Sequence, residues 1–153
     1  VSTTVRPHLR LRKRLDTPIP APVWPPGITP ERFDAVEPSR IHAVLEAAFP
    51  GLVAAREDWY GNLTTDSEFD PALCVPAITE DGQVAGFVQC WTGDFIKDLA
   101  VAPQFRGKGL GAALMLHVFG LFAARGSSHV DLKVETEEQP ARRLYARLGM
   151  VEV

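Results

Sequence analysis

Phe95-Ile96-Lys97-Asp98-Leu99-Ala100-Val101-Ala102-Pro103-Gln104-Phe105-Arg106-Gly107-Lys108-Gly109-Leu110-Gly111-Ala112 leads straight into an apolar stretch that ends at Ala124. Its first seven residues read as a strand, and Lys108 to Arg125 reads as a long helix. Between them, three glycines let backbone N–H groups converge at the positive end of that helix. Such a turn takes phosphate oxygens through unpaired amides and the helix dipole, and Arg106 and Lys108 add charge on the same side. The glycines alone would equally suit a strand-to-helix turn that merely packs tightly. The two cations beside them favour a phosphorylated ligand.

Two familiar phosphate loops are tested against this stretch. A Walker loop needs glycine four residues before Gly-Lys and Ser or Thr after it, where this chain has Ala102 and Gly109. The dinucleotide pattern G-x-G-x-x-A does fit Gly107, Gly109 and Ala112, with Asp131 about 20 residues on as a ribose-binding acid might be. Only 44 residues follow Gly109, however, too few for the remaining strands of a doubly wound sheet. The preceding strand also belongs to an antiparallel run.

Outward from the loop, His129 to Glu135 reads as a strand and Gln139 to Leu148 as a closing helix. On the other side, Leu73 to Thr79 and Gln83 to Trp91 form a hairpin about Glu80-Asp81-Gly82, with Pro76 marking an edge position or a bulge. Pro38 opens a helix whose Ile41, Val44, Leu45, Ala48 and Phe49 share a face, and which stops before Pro50-Gly51. A weaker helix is expected over Val53 to Asn62. Thr17 to Pro30, with six prolines, is a stiff extended connector, and His8 to Leu15 is an alternating strand. The order predicts an α/β domain with one mixed central sheet, antiparallel strands first and then a βαβ unit. Residues 1–27 form the strand and connector, and 28–153 the main domain.

With 153 residues, 46% of them hydrophobic, the chain can build a complete core, which excludes disordered and disulfide-stapled classes. Cys74 and Cys90 lack C-x-x-C spacing, so neither a redox pair nor a zinc knuckle is read, and a reducing, cytoplasmic setting is the default expectation. The apolar stretch from Gly109 to Ala124 is shorter than the ~20 residues a bilayer span needs. It is also bracketed by Lys108 and Arg125, so it reads as a buried helix and no membrane partner is expected. His8, His42, His117 and His129 show no ligand spacing, no metal is implied, and His117 reads as a satisfied core residue. Ser127-Ser128-His129 lacks the elbow of a hydrolase.

Net charge is −3, but residues 1–14 carry five cations (Arg6, Arg10, Arg12, Lys13, Arg14) and no acid, leaving −8 on the rest. The basic run suits either phosphate backbones or the protected edge strand favoured by its Leu9-Arg10-Leu11-Arg12 alternation. Glu57, Asp58, Asp66, Glu68 and Asp70 form an acidic stretch that repels nucleic acid and attracts cations, or is simply a solvated face.

The stretch around the loop resembles the GNAT superfamily of N-acetyltransferases, whose coenzyme A loop reads [Q/R]-x-x-G-x-[G/A] after a strand ending in Val-x-Pro. Gln104, Gly107 and Gly109 match it. Ala141-Arg142-Arg143-Leu144-Tyr145-Ala146-Arg147-Leu148-Gly149-Met150 resembles the family's closing motif A-x-x-L-Y-x-x-x-G-[F/M]. Glu138 departs from an Asn common at its place in that family. The resemblance implies a GNAT-like sheet in which two parallel strands ending near Val101 and Glu135 splay apart. Pantetheine would pair along Leu99, Ala100 and Val101 and meet Glu138. The pyrophosphate would rest on Arg106, Gly107, Lys108, Gly109, Leu110, Gly111 and Ala112.

On the same resemblance, acetyl-CoA is the cosubstrate and acetyl passes to a primary amine by direct attack in a ternary complex. The N–H of Val101 would face the developing oxyanion and Tyr145 the coenzyme sulfur. A lysine-type ammonium has a pKa of ~10.4, so a base must take its proton. Asp98 is the first candidate, with Asp94 and Glu138 behind it, and an exposed acid on the sheet's polar face is the plain alternative. The acceptor is expected to be a small-molecule or peptide amine, and the acidic stretch hints that it is cationic.

A catalytically silent acyl-CoA-binding half of a tandem GNAT protein is the alternative function. Residues 15–28 resemble the connector of such tandems, and Val151-Glu152-Val153 are too few to complete the closing hairpin, so the last strand reads as truncated. His8 to Leu15 is therefore expected to pair with a sheet edge of its own or of a neighbouring copy, giving strand exchange or a homodimer through an N-terminal or C-terminal edge.

Overall fold

A computed structural model describes residues 7–153; Arg6, one of the five cations of the basic run, lies outside them. Seven strands form one mixed sheet: β1 (His8–Arg14), β2 (Thr29–Pro30), β3 (Cys74–Ile78), β4 (Val84–Trp91), β5 (Phe95–Val101), β6 (His129–Glu135) and β7 (Val151–Glu152). Their order is β2-β3-β4-β5-β6-β1-β7. Only β5 and β6 run parallel; the other paired strands are antiparallel. Helices α1 (Pro38–Ala48) and α2 (Arg56–Thr65) belong to one hydrophobic cluster with Phe87 and Ala100, and α3 (Leu110–Ala124) with α4 (Gln139–Arg147) to the other.

The α3 side owes its cohesion to Leu114, Met115, Val118, Phe119 and Phe122, all fully buried. Each such side chain contributes about 1.5–3 kcal/mol of burial. Close approach of α3 to β4 depends on Gly86, where a Cβ would come within 3.0 Å of the Ala100 carbonyl oxygen and of Leu114. Among the described residues no helix is long and apolar enough to cross a membrane, and no cluster of three or more metal-ligating side chains occurs.

The expected strands and hairpin form, as does the mixed central sheet with its parallel pair. Two placements differ from the sequence expectation. Helix α2 starts at Arg56 rather than Val53, because the pair that anchors it, Trp59 and Leu63, lies later in the segment. Strand β1 is not an edge strand, since it lies between β6 and β7. Of the two readings of Pro76, the bulge is the one found: the register of β3 against β4 shifts between Ala77 and Ile78, while β2 covers the far side of β3 and the Pro76 carbonyl accepts from the Glu31 N–H at 2.8 Å. Val151 and Glu152 form a two-residue strand that pairs with Arg12 and Leu11.

Two of the arginines of β1 are engaged within the sheet. Arg10 and Arg12 clasp Asp131 of β6, both through Nε at 2.8 Å, and the Asp131 side chain is 1% exposed. Asp131, the candidate ribose ligand of a dinucleotide fold, is thus the buried partner of two cations. Their hydrogen bonds and charge hold its carboxyl down at about 2.

Candidate active site

Strands β5 and β6 stay together for only two residue pairs, Phe95 with Asp131 and Ile96 with Leu132. The register of β4 against β5 then shifts: Gln89 faces Asp98 while Cys90 faces Ile96, which leaves Lys97 as an extra residue on β5. A bulge of this kind bends and twists its strand. Beyond it β5 follows β4 and leaves β6, so residues 97–101 have a partner on one side only.

The direction of the free groups follows from one bond. The N–H of Ala102 donates to the Ala85 carbonyl at 2.9 Å, and backbone groups alternate along a strand. The N–H groups of Leu99 and Val101 therefore face the space that β6 vacates. Ala100 turns its polar backbone groups to β4 and its side chain into the core, so of the three expected pantetheine contacts only Leu99 and Val101 offer a free edge. The Val101 carbonyl on that edge accepts from Arg106 Nε at 3.2 Å, which ties the arginine to the mouth of the slot.

Beyond Val101 a short turn, Pro103–Phe105, leads into the glycine loop. Gly107 and Gly109 sit at φ 76° and 83°, the left-handed region that L-residues rarely occupy, and a Cβ on either would meet nothing within 4 Å. The first amide of α3 to find a partner is that of Ala113, on the Gly109 carbonyl at 3.1 Å. Among the described residues the N–H groups of 107–112 make no hydrogen bond, so six successive donors are left unpaired up to and into the helix's positive end. Gly111 serves packing: a Cβ there would lie 3.3 Å from Leu144. Lys108 holds its ammonium 5.8 Å from the centre of the Phe105 ring. Gln104 is exposed and borders a cavity of about 450 Å³ with Arg40 and Gln83.

Helix α4 brings Tyr145 to the same place. Ala141, Leu144 and Leu148 pack against the core beside it, and Tyr145 itself is 9% exposed. Burial first, then the charges of Asp98 and Glu138, push its phenol up to about 12. Three residues read as catalytic or coenzyme-binding from sequence, Tyr145, Asp98 and Glu138, therefore share one electrostatic neighbourhood. Asp98 pairs with Lys97 Nζ at 3.1 Å. Asp94 is engaged elsewhere, accepting from Ser127 Oγ at 2.6 Å at a turn residue with φ 59°. His117 packs edge-on to Trp24 with no hydrogen bond among the described residues, and burial lowers its pKa.

On the α1–α2 face, Asp98 opens onto a cavity of about 460 Å³. Phe49, Leu52, Val53 and Trp91 contribute its apolar wall, and Asp66 of the acidic stretch stands at its border. Asp70, by contrast, is bound to Arg125. Two lining residues escaped the sequence reading. Gln89 is 2% exposed, and Trp59 has a buried indole N–H without an acceptor. The one available signal was Gln89 as the sole amide in the apolar run Val84–Trp91.

The donor groups present fit a coenzyme A diphosphate and pantetheine: six unpaired amides, two flanking cations and a free strand edge. The family model described as acetyltransferase (GNAT) family matches residues 39–150. Mycothiol acetyltransferase of Clavibacter michiganensis subsp. michiganensis is 42% identical over 83 residues, spanning 52% of this chain and 27% of that protein. The mycothiol acetyltransferase of Tsukamurella paurometabola is 31% identical over 176 residues, spanning 98% of this chain and 57% of its own length. The crystal structure of a GCN5-related N-acetyltransferase from Sphaerobacter thermophilus superposes with a TM-score of 0.86 at 32% identity, covering 97% of this chain and 49% of that one. The chain thus spans between 27% and 57% of the length of these relatives. With the mixed sheet in agreement with these matches, the chain belongs to the GNAT family of acetyltransferases.

Proposed function

We propose that the chain binds acetyl-CoA in the slot between β5 and β6 and transfers acetyl to a primary amine by direct attack in a ternary complex. The observation that carries this reading is the unpaired edge at Leu99 and Val101 running into six unbonded amides at 107–112. The coenzyme supplies an acetyl group activated as a thioester. Residues 107–112 give their N–H groups to the pyrophosphate, and Arg106 and Lys108 balance its charge. Because β4 fixes β5, the Val101 N–H is a preorganised donor for the acetyl oxygen.

Asp98 takes the proton of the incoming ammonium, an acceptor needed because that group is almost wholly charged at neutral pH. Asp66 and Asp98 beside the cavity, set against the cation Lys97, leave its border net negative, which suits a cationic amine. Tyr145 keeps its proton up to about 12 and acts as a standing hydrogen-bond donor to the sulfur. Complete transfer from so weak an acid to a thiolate of pKa ~8.5 is uphill by several kcal/mol.

Tyr145→Phe is expected to lower kcat by about tenfold, the worth of one hydrogen bond of ~1.5 kcal/mol, with acetyl-CoA affinity unchanged. Full activity would leave Tyr145 a packing residue. Asp98→Asn should cost about 100-fold at neutral pH and recover as pH rises toward the amine's own pKa. A constant ratio of variant to wild-type rates across pH would move the base to Glu138 or a water chain. Thiol release scored over a panel of amines, aminoglycosides, polyamines and peptides tests the activity itself. Acetyl-CoA binding without turnover of any amine would instead indicate a silent acyl-CoA-binding half of a tandem protein.

A further inference from the structure

The cavity beside Asp98 contains a polar side chain with no hydrogen-bond partner among the described residues. Gln89 lies directly across the β4–β5 ladder from Asp98 and lines the cavity, 2% exposed. Its side-chain amide makes no hydrogen bond among the described residues, yet it is not among the buried polar atoms sealed from solvent. Its carbonyl or amino end therefore reaches the cavity space. Trp59 of α2 also lines the cavity, but its indole N–H is sealed from solvent and therefore from the cavity space. A buried polar group such as that of Gln89, left unpaired, costs about 1–3 kcal/mol, and the cost disappears when a ligand supplies the partner.

Resting on the acetyltransferase reading, we propose that Gln89 is a specificity residue that selects an amine bearing a neutral hydrogen-bonding group, an amide or a hydroxyl, close to the reacting nitrogen. Gln89 offers one acceptor and two donors. Asp66 and Asp98 outnumber Lys97 on the same border, so a neutral group is accepted more readily than a carboxylate. The apolar wall at Leu52 and Trp91 receives a hydrocarbon portion of the same molecule. A site built to hydrogen-bond its substrate discriminates strongly against analogues lacking the group, because its own polar atoms then stay unpaired.

The test compares kcat/KM for leucinamide, leucinol and isopentylamine, which share a branched hydrocarbon and a primary amine and differ in the neutral group. The full wild-type chain is expected to prefer leucinamide or leucinol over isopentylamine by about tenfold or more, and the two polar arms tell amide from hydroxyl. Gln89→Met, close in volume, should bring that ratio toward one, whereas Trp59→Phe, which deletes an N–H sealed from the cavity, should leave it unchanged. Unchanged acetyl-CoA affinity by calorimetry verifies that each variant is folded. A ratio unaltered in Gln89→Met overturns the assignment of Gln89 while leaving the acetyltransferase reading intact. No turnover of any amine by the wild-type chain overturns the acetyltransferase reading itself.

Discussion

Gly109→Glu is expected to abolish measurable acetyl-CoA binding, with at least a 100-fold rise in Kd by titration calorimetry. Gly109 precedes the first turn of α3 at φ 83°, and the space a Cβ would fill is empty, so the chain itself does not exclude a side chain there. A non-glycine residue in this conformation costs about 1–2 kcal/mol. The larger effect is electrostatic: a carboxylate anchored at the positive end of α3 takes the six amides for itself and repels the diphosphate. Gly109→Ala separates the two causes, since it adds the backbone strain without the charge and should weaken binding far less. Unchanged affinity in a folded Gly109→Glu chain would mean that the loop holds no phosphate.

Replacing Arg10 and Arg12 together by Ala should destabilise the fold by about 3–5 kcal/mol, a large part of a typical stability margin. It leaves the carboxylate of Asp131 buried between β5 and β1 without its two cations. The pH dependence gives the sign. In the wild type Asp131 falls from its ordinary value of 3.8 to about 2 on folding, so its contribution is complete above pH 4 and is lost as pH falls toward 2. In the double variant an unpaired buried carboxyl is pushed upward instead, so acidification restores stability by protonating it. Thermal unfolding of the two chains between pH 2 and 7 should therefore show their difference shrinking as pH drops. A difference constant across that range would show that the two arginines act only through packing of β1.

Local chemistry made the donor side legible in the sequence. Three glycines, two cations and a strand-to-helix junction act within 20 residues, and the left-handed backbone at Gly107 and Gly109 follows from the residue type. Tyr145, the proposed donor to the coenzyme sulfur, is singled out only by the spacing of a family motif, since its periodicity alone makes it core. What sequence could not supply was pairing across long separations. Arg10 and Arg12 read as an edge guard because their partner, Asp131, lies about 120 residues away, where β1 enters the sheet beside β6. Gln89 and Trp59 were missed for a similar reason. Each looks like an ordinary residue of an apolar strand or helix until α2 is folded over the β4–β5 bulge.

The most direct test of the coenzyme slot is a titration of the wild-type chain with acetyl-CoA, followed by backbone amide chemical shifts. The expected result is a saturable change at Leu99, Val101 and residues 107–112, with the β1–β6 seam at Leu11 and Leu132 little affected. The contradicting result is the absence of saturable shifts there, or shifts concentrated around the cavity of about 500 Å³ that Asp34, Ala72 and His117 help to line.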